Sequence, residues 1–197
     1  VSDDLKTGVH WVDLLDSEVS YVRKDGSAKR LVTLVRRPVS DKGRDRLMKY
    51  YLPKNERVEI LKAYTETHDG ETLEAKSIHD DTVRFRDVNE GSTVVLQYLY
   101  YDEPFDFMRE NFFSPWRFQK ANARTSRAEW IMASPPDKKL EIESSKKVKH
   151  RTFQEDSQQI HALTIEDSPA LLPDPHTIAA HQYLQQAYAS TLSDWET

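Results

Sequence analysis

Thr93-Val94-Val95-Leu96-Gln97-Tyr98-Leu99-Tyr100-Tyr101 is the stretch that decides the fold class. Its even positions, Val94, Leu96, Tyr98 and Tyr100, are all large, while the odd positions include Thr93 and Gln97. Alternation with a period of two marks a strand with one face on a core. Glu90-Gly91 precedes the stretch and Pro104 follows it, so both ends carry turn chemistry. A central strand is expected here, with Val94, Leu96, Tyr98 and Tyr100 directed inward.

Similar segments lie on both sides. Val19, Tyr21 and Arg23 alternate with Ser20 and Val22, and Leu31-Val32-Thr33-Leu34-Val35 follows across Asp25-Gly26, the pattern of a hairpin. Lys42-Gly43 reads as a turn, and Arg46 to Leu52 and Val58 to Thr65 read as two strands, with Val58, Ile60 and Tyr64 on one face. Asp69-Gly70 closes a second hairpin-type connection. Downstream, Ala128 to Ala133 stops at Pro135-Pro136, Leu140 and Ile142 alternate with charges, and Ile160 to Ile165 ends before Asp167-Ser168-Pro169. Pro169, Pro173 and Pro175 suggest extended chain. From Ile178 to Tyr188 a helical stripe competes with an extended reading, and Ala187 to Leu192 is expected to be extended or mixed. Eight to ten short strands and no long helix imply an all-β domain, an antiparallel β-sandwich with an aromatic-rich loop and an extended C-terminal segment. Only 5 glycines are present, too few for the corners that a closed barrel demands.

Composition excludes several functions. The 197 residues fit one domain, read as 1–192, with 193–197 as the start of another. A formal charge of -5 argues against nucleic-acid binding, and no apolar run approaches the roughly 20 residues of a membrane-spanning helix. With no cysteine there is no disulfide, thiolate metal site or cysteine nucleophile. His176 and His181 are five apart, not the four of a zinc-binding helix, and His79-Asp80-Asp81 reads as a polar turn. Lys146 to Arg151 reads as a basic, solvated face. No nucleophile elbow or carboxylate dyad is recognisable, and nothing points to a cofactor. The chain is therefore read as non-catalytic.

Phe105, Phe107, Phe112, Phe113, Trp116 and Phe118 crowd into fourteen residues. Such a loop either plugs the edge of its own core or, through Phe112, Phe113 and Trp116, offers a stacking platform for a peptide or glycan. At the end of the chain, Ser193-Asp194-Trp195-Glu196 has the spacing of a capping box, which predicts that a helix of a further domain starts there, with Trp195 on the interdomain surface.

The order Val19-Ser20-Tyr21-Val22-Arg23-Lys24-Asp25-Gly26, Asp69-Gly70, Asp87 to Tyr98 and Ser190 to Trp195 resembles the bacterial domain of unknown function 3857 (DUF3857). The segment Asp87-Val88-Asn89-Glu90-Gly91-Ser92-Thr93-Val94-Val95-Leu96-Gln97-Tyr98 fits that family's Asp-Val-x-x-Gly-x-x-Val-x-x-x-Tyr pattern, with Asp87, Val88, Gly91, Val94 and Tyr98 at its fixed positions. The resemblance implies a β-sandwich that precedes a transglutaminase-like Cys-His-Asp domain, in exported or cell-envelope, including periplasmic, proteins. It implies an accessory role, positioning or gating the downstream transglutaminase-like domain of the same polypeptide. Independent peptide or glycan binding is the alternative.

Overall fold

The computed structural model describes residues 8–54, 57–104, 110–171 and 184–192. Among them the chain is all-β with one short helix. β1 (Trp11–Val22) and β2 (Ala28–Pro38) form the expected hairpin, its turn held by Gly26 at φ +82° and by Asp25 Oδ1, which accepts from the Ser27 amide at 3.0 Å. Helix α1 (Asp41–Leu47) leads into β3 (Lys49–Tyr51), β4 (Val58–Glu66), β5 (Thr72–Glu74), β6 (Ser77–His79), β7 (Thr82–Arg84) and β8 (Thr93–Asp102). The remaining strands are β9 (Phe113–Arg117), β10 (Ala123–Ser134), β11 (Glu141–Ser144), β12 (Lys149–Glu155), β13 (Gln158–Ser168) and β14 (Gln186–Ser190).

Eight strands make one broad sheet in the order β12-β13-β10-β1-β2-β8-β4-β5, and β11-β14-β9 and β3-β7-β6 make two small ones. β8 is interior, as expected, with Val94, Leu96 and Tyr98 buried and Tyr100 partly buried. The pairing is antiparallel except between β1 and β10, which run parallel with Trp11 opposite Ala123 and Tyr21 opposite Ala133. Two segments so far apart in sequence can pair this way because the chain crosses over through β2 to β9 in between.

One face of the broad sheet carries both cores. The cross-strand row Leu163, Trp130, Glu18, Val32, Tyr98, Ile60 runs over six strands. Its Trp130 end packs with Phe112, Phe118, Ala187 and Ala189 under the β11-β14-β9 sheet. Its Tyr98 end packs with Leu47, Val83, Phe85 and Val88 under α1 and the β3-β7-β6 sheet. The result is a sandwich in which two small sheets share the work of covering a large one.

Three local expectations are corrected, and the facing of β1 is unusual. Lys42-Gly43 is not a turn and Arg46 and Leu47 are not strand; they belong to α1, whose N-cap Ser40 accepts from the Gly43 amide at 3.1 Å. β4 contains a bulge between Ile60 and Lys62, which moves Ala63 and Thr65 to the core face and leaves Tyr64 off the face of Val58 and Ile60. The aromatic segment is not wholly a loop, because Phe113 to Arg117 is strand β9. In β1 the apolar Val19 and Tyr21 are 37% exposed while Glu18 and Ser20 are buried, the reverse of ordinary patterning. The expected extended character of Ala187 to Leu192 holds from Ala187 to Ser190 in β14.

Gly43 is needed for space. A Cβ there would lie 1.8 Å from the His10 carbonyl oxygen, backbone that itself accepts from the Val39 amide at 3.0 Å. Gly43→Ala is expected to cost about 3 kcal/mol, lowering the melting temperature by roughly 6–12 °C. Gly70→Ala is the control: nothing lies within 4 Å, so only the strain of φ +83° remains, about 1–2 kcal/mol. Equal losses in a melting experiment would refute the steric argument.

Candidate functional site

The structure separates the aromatics that the sequence places together. Phe112 and Phe118 are core residues, 3% and 0% exposed. Trp116 stacks on Trp130 with centroids 6.0 Å apart and planes 14° apart, so it too faces inward. Phe113, one residue on from Phe112, points to the outer face of the β11-β14-β9 sheet, as strand alternation requires. There it stacks on Tyr188, centroids 6.2 Å apart at 15°. Trp195, His176, His181, Phe105 and Phe107 lie outside the described residues.

Phe113 and Tyr188 line a groove of about 460 Å³ with Ile142, Leu192, Glu141 and Glu143. Register explains the grouping: Glu143 is opposite Tyr188, while Glu141 and Phe113 flank Ser190. Glu141 also pairs with exposed Lys139 at 2.6 Å. An aromatic stack beside carboxylates can cover an apolar group and accept from a donor, which suits binding better than bond cleavage. Tyr188, Glu141 and Glu143 had a readable signal only in part, since Gln186-Ala187-Tyr188-Ala189-Ser190 alternates but also fits a helical stripe.

Between the two cores runs a spine of buried charge on β1. Glu18 Oε1 accepts from Arg30 Nη1 at 2.7 Å, Ser20 Oγ at 2.8 Å and Trp130 Nε1 at 3.2 Å. Arg30 also donates to Ser114 Oγ at 3.0 Å and Asp102 Oδ2 at 2.5 Å. Burial works against the Arg30 charge, but Glu18, Tyr100 and Asp102 outweigh it and keep its pKa above the ordinary arginine value. Further along, a bulge between Asp13 and Leu15 brings Asp13 and Asp16 to the same face. Asp13, fully buried, meets Arg36 Nε at 3.0 Å and Lys120 Nζ at 2.9 Å, and Lys120 also pairs with Asp16. Every carboxylate of this spine has a cation beside it, so it reads as a device for registering the sheets rather than a set of catalytic bases.

At the far edge, His150 Nε2 and His161 Nδ1 are 3.1 Å apart and their rings stack at 5.3 Å. Among the described residues no third metal-ligating side chain joins them. Burial lowers the pKa of both, and His150 lowers that of His161 further against the opposing pull of Glu141. Their folded pKa lies below the unfolded one, so their contribution is complete above the ordinary histidine value of about 6.5 and is lost as pH falls through the lowered folded values. Urea unfolding from pH 7 to pH 5 should show stability falling, and His161→Gln should flatten that slope. An unchanged slope would show that the pair is not linked to folding.

No family model matches the chain, and no curated protein does. Among solved structures, a proposed protease from Parabacteroides distasonis is similar with a TM-score of 0.80 at 15% identity, covering 93% of this chain and 41% of that one. An M1 zinc metallopeptidase from Deinococcus radiodurans is similar with a TM-score of 0.51 at 12% identity, covering 91% of this chain and 42% of that one. At these identities the likeness establishes the fold: an all-β sandwich unit that spans about two fifths of larger chains. Among the described residues no helix is long and apolar enough to cross a membrane.

Proposed function

We propose that this chain is a non-catalytic accessory domain that positions or gates a hydrolase domain of the same polypeptide, in the first place a transglutaminase-like cysteine hydrolase of the cell envelope, as the resemblance to DUF3857 implies. The observation that carries the reading is the coverage of the solved structures: a fold that fills 93% of this chain fills only 41% of a proposed protease. Supporting it, the 197 residues contain no cysteine to serve as nucleophile. The groove beside Leu192 is the contact face this reading selects, because the chain passes out of β14 along it.

The test compares this chain with its parent protein. The chain alone should leave peptide, ester and amine-acceptor substrates at background, while the parent turns one over. Activity of the isolated chain that depends on one of its residues would overturn the reading. Within the parent, Phe113→Ala should loosen the hydrolase domain, seen as a second melting transition, at little cost to the sandwich itself. Phe112→Ala should instead cost the sandwich about 3–5 kcal/mol, because it leaves a core cavity.

The second reading is a peptide- or glycan-binding module. The stacked Phe113 and Tyr188 rings beside Glu141 and Glu143 favour it. Under it, Tyr188→Ala should abolish saturable binding of a peptide or oligosaccharide to the isolated chain.

A further inference from the structure

The face of the broad sheet opposite the two cores has no layer over it among the described residues, and its side chains are unusual. Val19 and Tyr21 are 37% exposed, Leu31 and Ile131 stand partly exposed beside Val19 on the neighbouring strands, and partly exposed Leu99 lies opposite Leu31 on β8. At the hairpin end of this face lies Tyr101, with Lys29 directly opposite it on β2 and Tyr21 opposite Lys29 on β1. Three cations converge on the Tyr101 ring: the Arg23 guanidinium carbon at 5.5 Å from its centroid, Lys29 Nζ at 5.8 Å and the Arg57 guanidinium carbon at 5.9 Å. None of the three forms an ion pair among the described residues.

Arg23, Arg57 and Tyr101 border a hollow of about 700 Å³ that also meets Asp25, Asp102 and Glu103. One of these carboxylates is paired with a cation elsewhere. Asp102 is bonded to Arg30 Nη2 at 2.5 Å. Asp25 accepts from Ser27 Oγ at 2.6 Å and the Ser27 amide at 3.0 Å, and those bonds, with the nearby Arg23 charge, hold its carboxyl below the usual range. Asp25 keeps its charge and opposes an incoming anion together with Glu103, so three cations stand against two carboxylates, an excess too small for a polyanion yet sufficient for a single negative group.

We infer that this hollow, with the sheet face that adjoins it at Tyr101, binds one carboxylate carried on an apolar body: the carboxylate sits between Arg23 and Arg57 beside Tyr101, with Lys29 flanking it from the sheet face, and the body lies along Tyr21 and Leu99. Guanidinium and ammonium donors recognise carboxylate by charge-assisted hydrogen bonds, and the adjoining apolar strip supplies the affinity that exposed charges alone do not. A peptide C-terminus and a fatty acid both present this chemistry. The inference is independent of the accessory role.

The chain would be titrated by calorimetry and NMR with N-acetyl-alanyl-phenylalanine, its C-terminal amide, octanoate, octanamide and inorganic phosphate. At least one acid should bind saturably, about tenfold or more tighter than its amide and than phosphate. Tighter binding of the peptide acid would identify a peptide C-terminus as the source, and tighter octanoate would identify a fatty acid. Arg57→Gln and Lys29→Gln should each weaken binding about tenfold with an unchanged melting temperature, and Leu99→Asn should weaken the acids but not phosphate. Absence of saturable binding, equal binding of acid and amide, or phosphate as tight as either acid would overturn the inference.

Discussion

Arg30→Met is expected to destabilise the protein by about 3–5 kcal/mol, close to the point of unfolding. Arg30 and Glu18 are each 4% exposed, and their bond is the charged centre of the spine that separates the two cores. Removing the guanidinium leaves Glu18 with only the Ser20 hydroxyl and the Trp130 indole as donors, too few to replace the lost hydration of a carboxylate. The Arg30 plane also lies over Phe112, 5.3 Å from the ring centroid, so packing is lost as well. The double variant Glu18→Met with Arg30→Met should recover most of the stability, because it removes the pair instead of orphaning one half. Urea denaturation of the singles and the double decides the matter. A double variant as unstable as Arg30→Met would show that the spine works through shape and not through charge.

Tyr98→Asp should prevent folding altogether. Tyr98 is 4% exposed and lies between Tyr50 and Tyr100, each with its ring centroid 5.9 Å away. Its hydroxyl meets the Tyr50 hydroxyl at 3.0 Å, and burial foremost holds its pKa far above the ordinary tyrosine value. A carboxylate placed there would be unpaired in surroundings that already disfavour negative charge, a penalty of several kcal/mol against the roughly 5–15 kcal/mol that holds a domain together. Tyr98→Phe should cost only about 1 kcal/mol for the lost hydroxyl contact. A soluble Tyr98→Asp variant with an unchanged melting temperature would contradict the inward placement of β8.

The candidate site was legible in fragments. Aromatic clustering drew attention to Phe112, Phe113 and Trp116, yet neighbouring residues of a strand face opposite ways, and only Phe113 reaches the groove. Its companion Tyr188 is 75 positions away, and Glu141 and Glu143 come from a third strand. The cluster around Tyr101 was invisible for the same reason, since Arg23 and Lys29 flank the β1–β2 turn while Arg57 and Tyr101 come from two other parts of the chain.

Local chemistry was enough for the β class, for the turns at Asp25-Gly26 and Asp69-Gly70, and for the inward face of Thr93 to Tyr101. Turn residues and a period of two act within a few positions, so they survive whatever the rest of the chain does. The helix at Asp41 to Leu47, the bulge in β4, the parallel pairing of β1 with β10 and the inverted faces of β1 depended on the tertiary structure. Glu18 shows why. On periodicity alone a strand carrying Val19 and Tyr21 should bury them, but Arg30 twelve positions away and Trp130 one hundred and twelve positions away supply the donors that make it cheaper to bury the carboxylate instead. A preference set by partners that distant is decided only when the sheets close.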